Sequence, residues 1–251
     1  MVRTTAVSKP ASTEMHPGPG FRVRHDDTPR DPDLVGALAK FDTPTISDLM
    51  NRLYTMNVAI RPMTPAEMPI AGTACTVKVF PGDNLMVHKS LDVAHPGDVV
   101  VVDASSSHMT AVLGDLVAQK ARHRGIAGFV VDGLVRDIPA ILEMGDFPVF
   151  ARGITPIGPL HRGPGEINYP VSAGGIVVHP GDIVIGDTNG VVVVPREAAE
   201  DVLARLEQRA ASEAEYVAAV ARGQFSNDWV DTALAASGLT VETNGSSAKP
   251  V

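Results

Sequence analysis

The chain has 251 residues, 44% of them hydrophobic and only 4% aromatic, enough for one large domain with a core of Val, Ile, Leu, Ala and Met. Its formal charge of −8 argues against nucleic acid or an anionic membrane as a partner, since both reward a basic surface. Cys75 is the only cysteine, which excludes an intrachain disulfide and a cysteine-built zinc site.

In chain order, residues 1–32 carry Pro10, Pro17, Pro19, Pro29 and Pro32 among polar side chains and predict a flexible tail. This segment lacks the apolar core of a signal peptide, and no run approaches the ~20 apolar residues that span a bilayer, so a cytoplasmic protein is expected. A single domain is expected over 33–222. Thr43-Pro44 reads as a cap and first helical position, followed at helical spacing by Ile46, Leu49, Met50 and Leu53. A strand is expected over about 73–80, with Cys75 as a small buried residue. Pro81-Gly82-Asp83 then turns into a short helix with Leu85, His88 and Leu91 on one face.

Pro96-Gly97-Asp98 leads to a strand at 99–103, a helix at 114–124 and a strand at 128–131, with Gly125 where a glycine C-cap belongs. Strand, helix, strand at this spacing predicts a βαβ unit with parallel strands. The short basic run Lys120–Arg124 reads as a solvated helix face. Further on, 176–179, 183–186 and 191–194 alternate with glycine-rich turns and read as an antiparallel meander. A long helix over 196–221 closes the fold, with Ala198, Val202, Leu206 and Ala210 on one face. Residues 223–251 read as a largely irregular extension.

Ligands of sheets with βα connections collect beyond the carboxyl ends of the strands. Here Asp103 and Asp132 stand at expected strand ends, with Gly114-Asp115-Leu116-Val117 and Arg136-Asp137 just beyond. A helix starting near Gly114 would offer free N–H groups to a carboxylate, and Arg136 could grip the same anion. Asp137, with Asp115 or Asp132 through water, could hold a hard divalent cation. A plainer reading stays open: Asp137 as N-cap of a helix at 138–144, and Arg136 as its salt-bridged neighbour.

The segment GDLVAQKARHRGIAGFVVDGLVRD resembles the signature of the RraA-like family, which includes class II aldolases for 4-hydroxy-4-methyl-2-oxoglutarate and 4-carboxy-4-hydroxy-2-oxoadipate. The resemblance continues through Gly165-Glu-Ile-Asn168, Gly174-Gly-Ile-Val-Val178, Pro180–Asp187 and Gly190-Val191, and covers roughly 38–220. It implies a layered α/β/β fold of the swivelling-domain type. It also implies that the backbone at Gly114, Asp115, Leu116 and Val117 binds a 2-oxo acid, with Arg136 on the same substrate. Asp137 would be the direct ligand of Mg²⁺ or Mn²⁺, and Asp115 would act catalytically, with Arg136, through water on that cation. Family members lacking an acid after the arginine are ribonuclease-binding regulators without aldolase activity, whereas this chain has Asp137. Homotrimers or homohexamers with sites at subunit boundaries are implied, to which Glu213 or Glu215 could contribute.

The implied reaction is cleavage to pyruvate plus a second oxo acid, with decarboxylation of oxaloacetate through the same enolate. Lys78 and Lys89 have no evident environment that would prime a Schiff base. His95 and His179 precede Pro-Gly-Asp turns and read as structural, while His88, His108 and His161 are candidates for substrate contact. No Walker loop or dinucleotide fingerprint is present.

Overall fold

The computed structural model describes residues 20–65, 68–243 and 246–250. The chain divides into two compact units, one ending at Leu206 and one beginning at Glu207. This division falls inside the long helix, earlier than the boundary expected at 222.

The first unit opens with β1 (Phe21–Val23), α1 (Pro32–Leu38), α2 (Thr43–Leu49), β2 (Arg61–Pro62), β3 (Ile70–Val79) and α3 (Leu85–Ser90). Then come β4 (Asp98–Asp103), β5 (Ala111–Leu113), α4 (Asp115–His123), β6 (Gly128–Val135), α5 (Ile138–Leu142) and β7 (Val149–Ile154). It continues with β8 (Gly165–Ile167), β9 (Val171–Ala173), β10 (Ile176–Val178), β11 (Ile183–Asp187), β12 (Gly190–Val194) and the first part of α6 (Ala199–Ala221). One mixed sheet runs β1-β8-β3-β4-β6-β7-β2, with β5 on β6 and the β11–β12 pair on β3.

Both faces of the central strands are buried, as their unbroken apolar runs require. Val100, Val102, Phe129 and Val131 face Met86 and Val87 of α3, Val117 and Ala121 of α4, and Ile138 and Ile141 of α5. Their neighbours Val99, Val101 and Val130 point the other way, onto Val171, Val178, Val184, Val191 and Val193. The opposite side of β11–β12 packs through Ile183, Ile185, Val192 and Val194 on Leu38, Ile46, Val202 and Leu206. The α/β/β layering is therefore as expected, with α1, α2 and α6 adding a further helical layer.

The parallel pairing of β4 with β6, Val101 opposite Val130, bears out the βαβ unit. Gly125 has the left-handed backbone (φ 74°) of a helix stop. Several expectations are corrected. Residues 20–32 are not a tail, because β1 pairs in parallel with β8 and Arg30 grips Asp98 through two nitrogens at 3.0 and 2.9 Å; residues 1–19 lie outside the described residues. The cap of α2 is Asp42, whose carboxylate accepts from Thr45 N–H at 2.9 Å. α3 buries Met86, Val87 and Ser90, leaving His88 half-buried. The meander is interrupted: Gly174-Gly175, both with positive φ, turns β10 back onto β9, and only β11 and β12 form the expected hairpin. β6 does not stop at Asp132-Gly133 but runs on to Val135.

The second unit contains the rest of α6, α7 (Asp228–Ala236) and the pair β13 (Thr240–Thr243) and β14 (Ser246–Pro250), so the extension is not irregular. Among the described residues no helix is long and apolar enough to cross a membrane.

Candidate active site

The extension of β6 places the site. β5, only three residues long, pairs in parallel with the end of β6, Ala111 opposite Leu134 and Leu113 opposite Val135. Arg136 N–H continues this ladder by donating to Leu113 O at 2.9 Å. One residue after β5 comes Gly114, the N-cap of α4, so the start of the helix and the Arg136-Asp137 pair are brought side by side.

Gly114 is needed there for space. A Cβ at that position would stand 2.6 Å from Asp137 Oδ2 and 3.2 Å from Arg136 Nε. Arg136 Nε is 3.1 Å from Asp137 Oδ2, and the far end of its guanidinium lies against Gly158. Asp137 has a left-handed backbone (φ 59°, ψ 31°), and although it occupies the N-cap of α5 its side chain makes no capping bond. The plain reading holds for the N-cap position and for the Arg136 salt bridge, but not for a capping hydrogen bond. The carboxylate is held over Gly114 by a backbone conformation that Asp tolerates better than most residues.

The first main-chain bond of α4 is Ala118 N–H to Gly114 O at 3.1 Å, so the N–H groups of Asp115, Leu116 and Val117 precede the helical ladder. These residues line a cavity of about 230 Å³ together with Gly114, Leu113, Arg136, Asn84, His88, Pro159 and His161. Asp115 is half-buried, its Oδ2 3.5 Å from Gln119 Nε2. Every residue expected to bind substrate is thus in one cavity, with Asp137 bracing Arg136 at its edge. A larger cavity of about 370 Å³, bounded by Arg24, Asp26, Asn168, His179, Asp182 and Arg196, contains none of them. Asp26 there is paired with Arg30, Asp182 accepts from the amides of His179 and Arg196, and the Arg196 guanidinium donates to Thr28 Oγ1.

Asp132 takes no part in the site. It is buried, accepting from Arg152 Nε, from Ser106 Oγ at 2.9 Å and from Gly174 N–H at 2.6 Å. Burial works against its charge, but the bonds from Arg152, Gly174 and Ser106 prevail and hold its carboxyl below the usual carboxylate range. Asp103 accepts from Ser105 N–H at 2.8 Å. His108 is exposed and does not line the cavity, and neither Lys78 nor Lys89 does. Glu213 pairs with Arg209 within the second unit.

Asn84 was not singled out from the sequence, where it reads as a polar residue between turn and helix. It is buried, donates from Nδ2 to Val112 O at 3.1 Å, and meets His161 Nδ1 through Oδ1 at 2.6 Å. The His88 and His161 rings stand edge to face, 5.7 Å between centroids. Burial, then the charges of Lys120 and His161, pull the His88 imidazole below its ordinary range.

No three His, Cys, Asp or Glu side chains meet in a metal-binding cluster among the described residues. A closed zinc cage does not fit this site. A hard divalent ion that keeps most of its waters asks for only one or two carboxylate oxygens, and Asp137, beside Gly114 in space, and Asp115, next to it in sequence, are the residues that could supply them.

A family model for RraA-like proteins, described as Aldolase/RraA, matches residues 43–193 and so spans the whole constellation. The chain belongs to the RraA-like family. This RraA-like chain is 40% identical over 181 residues to "Putative 4-hydroxy-4-methyl-2-oxoglutarate aldolase" of Halalkalibacterium halodurans, covering 72% of this chain and 85% of that one. A protein of the same name from Hahella chejuensis is 35% identical over 156 residues, 62% of this chain and 94% of that one. Among solved structures, an uncharacterized protein from Pseudomonas syringae pv. tomato matches with a TM-score of 0.70 at 28% identity, covering 79% of this chain and 96% of the other. Streptomyces coelicolor RraAS2, described as an unusual member of the RNase ES inhibitor RraA protein family, matches with a TM-score of 0.67 at 30% identity, covering 74% and 96%.

Proposed function

We propose that this RraA-like chain is a class II aldolase that uses Mg²⁺ or Mn²⁺ to cleave 4-hydroxy-2-oxo acids such as 4-hydroxy-4-methyl-2-oxoglutarate or 4-carboxy-4-hydroxy-2-oxoadipate. The observation that carries this reading is the Arg136–Asp137 pair folded over Gly114 at the open start of α4. The free N–H groups of Asp115, Leu116 and Val117 hold the C1 carboxylate at the positive end of the helix. Arg136 donates to the C2 carbonyl oxygen. When the C3–C4 bond breaks, its electron pair moves onto that oxygen, and a preorganised guanidinium stabilises the developing charge without reorganising. Asp115 accepts, through an intervening water, the proton leaving the C4 hydroxyl, and C4 becomes the carbonyl of the second product. The proton taken up by Asp115 returns through the same water to C3 of the enolate, which gives pyruvate and restores the carboxylate. Asp137 would hold the divalent cation, which would supply Lewis acidity at the 2-oxo acid head. Loss of CO₂ from oxaloacetate develops the same charge, so decarboxylation accompanies cleavage.

A homotrimer or homohexamer accords with the exposed apolar side chains near the cavity and its flanking loops, Met109, Leu116, Ile154, Ile157 and Leu160. A non-catalytic ribonuclease-regulator role is the second reading, favoured by the likeness to the S. coelicolor protein. Pyruvate release from 4-carboxy-4-hydroxy-2-oxoadipate and from oxaloacetate, with Mg²⁺, with Mn²⁺ and with chelator, separates the two. Turnover that needs the cation is expected; undiminished turnover in chelator, or none at all, refutes the proposal.

A further inference from the structure

The larger cavity, of about 370 Å³, shares no lining residue with the one at the start of α4. Two oxygens of its buried lining, Asn168 Oδ1 and Asp26 Oδ2, accept no hydrogen bond among the described residues. Asn168 is 2% exposed, and its amide has a single possible orientation. A carbonyl can only accept, so Nδ2 is the atom that meets Arg24 O at 3.0 Å, and Oδ1 is left over. The Asp26 side chain is 10% exposed, and its Oδ1 accepts from Thr28 N–H at 3.1 Å and from Thr28 Oγ1 at 2.5 Å. Its Oδ2 stands 3.0 Å from Arg30 Nη1. Both hydrogens of that nitrogen are spent on main-chain oxygens, Thr28 O at 2.7 Å and Asp26 O at 3.2 Å. Arg30 thus lends Oδ2 its charge and no hydrogen. Burial works against ionisation of Asp26, but the bonds from Thr28 and the charge of Arg30 prevail and hold its carboxyl below the usual carboxylate range. Buried acceptors are costly to leave without a donor, and here two share one cavity.

The rim has the opposite character. Arg24 and Arg196 are exposed, and neither meets a carboxylate among the described residues. Arg24 lies on the Tyr169 ring, 4.3 Å from its centroid, and Arg196 Nη1 donates to Thr28 Oγ1 at 2.9 Å. Each arginine is tied to one of the two acceptors, Arg24 through its own carbonyl to Asn168, and Arg196 through Thr28 to Asp26. We propose that this cavity binds a free amino acid as its zwitterion, the ammonium inward on Asn168 Oδ1 and Asp26 Oδ2, the carboxylate outward on Arg24 and Arg196. An ammonium carries three donors on one compact centre, and guanidinium groups match a carboxylate. A bare metal ion does not fit, because Arg24, Arg30 and Arg196 surround the two oxygens with positive charge that it has no means to offset. An anion alone would leave both acceptors unserved. Asp182 and the exposed Glu197 complete the charged lining, so a net-neutral ligand with separated charges matches it. The volume is that of a small-metabolite site.

The test is calorimetric titration of the full chain with the free L-amino acids, one at a time. Those that bind are repeated as N-acetyl and methyl-ester forms, which remove the positive and the negative end in turn. At least one amino acid is expected to bind, and each capped form to bind about tenfold or more weakly, the size of a lost charge-assisted hydrogen bond. Arg24→Gln combined with Arg196→Gln, both on the exposed rim, should weaken the amino acid by a similar factor and leave its methyl ester within about twofold. Arg136→Gln, in the other cavity, should change neither. If no amino acid binds, water alone serves the two acceptors and the proposal is overturned. Undiminished affinity of the N-acetyl form overturns it too, because the ammonium then has no part. Affinity lost in Arg136→Gln and kept in the rim variant places the ligand at the start of α4, with the same consequence.

Discussion

Two arginine–aspartate pairs lie at or just beyond the end of β6, one reaching across to β7, and they are built for different ends. Asp132 and Arg152 are 5% and 14% exposed in their side chains, and every oxygen of Asp132 is occupied by Arg152, Ser106 or Gly174. Arg136 and Asp137 are 41% and 40% exposed, with one contact between them and no cap made by the acid. The first pair ties β6 to the β9–β10 turn, and its bonding capacity is spent. The second keeps donors and oxygens in reserve beside a cavity. Chemical similarity along a sequence therefore says little about role; the number of partners already engaged says much more.

The sharpest way to break this contrast is Asp137→Asn. Asparagine tolerates the left-handed backbone, so the fold should survive, while cation-dependent pyruvate release falls by about 10³-fold or more. A folded variant with unaltered turnover would make the open pair ornamental. Asp132→Asn should do the opposite. It leaves the Arg152 charge buried beside a neutral amide and should cost about 3 kcal/mol in denaturant unfolding, with turnover per folded molecule retained. Because the folded pKa of Asp132 is depressed, its contribution is present above the unfolded value of about 3.9 and is lost as pH falls through the folded value. The variant should accordingly flatten the acid limb of the stability curve below about pH 4. Gly114→Ala is a milder probe. Its backbone (φ −139°) admits alanine, and the clash is with the ends of the Asp137 and Arg136 side chains, so stability should change by no more than about 1 kcal/mol. Turnover should drop by up to about 10²-fold as the pair is displaced, and circular dichroism alongside kinetics distinguishes this from unfolding.

The apolar period along 99–131, the glycine stop at 125 and the adjacency of Arg136 with Asp137 made the βαβ unit and half of the site readable in the amino-acid order. What escaped has specific causes. β5 is three residues long, too short to show a period, yet its pairing with β6 is what sets Gly114 against Arg136. Asn84 resembles any turn residue until the chain folds and Val112 and His161 claim its two ends. Asp132 looked like a strand terminus because Gly133 follows it, but β6 tolerates that glycine, where a Cβ would press on Ala104 at 2.8 Å. β9, also three residues long, gave no sign that Gly174-Gly175 is the turn of a hairpin with β10.

The two-nitrogen clasp of Arg30 on Asp98 has a practical consequence for engineering. Asp98 is fully buried where β4 begins, and it also anchors the His95 amide at 2.9 Å. A shortened gene product starting at residue 33, tempting because the domain signature begins later, would strip the counter-charge from that carboxylate and remove the edge strand on β8. Fusion partners and affinity handles are therefore better joined upstream of Phe21, where the sheet keeps its border.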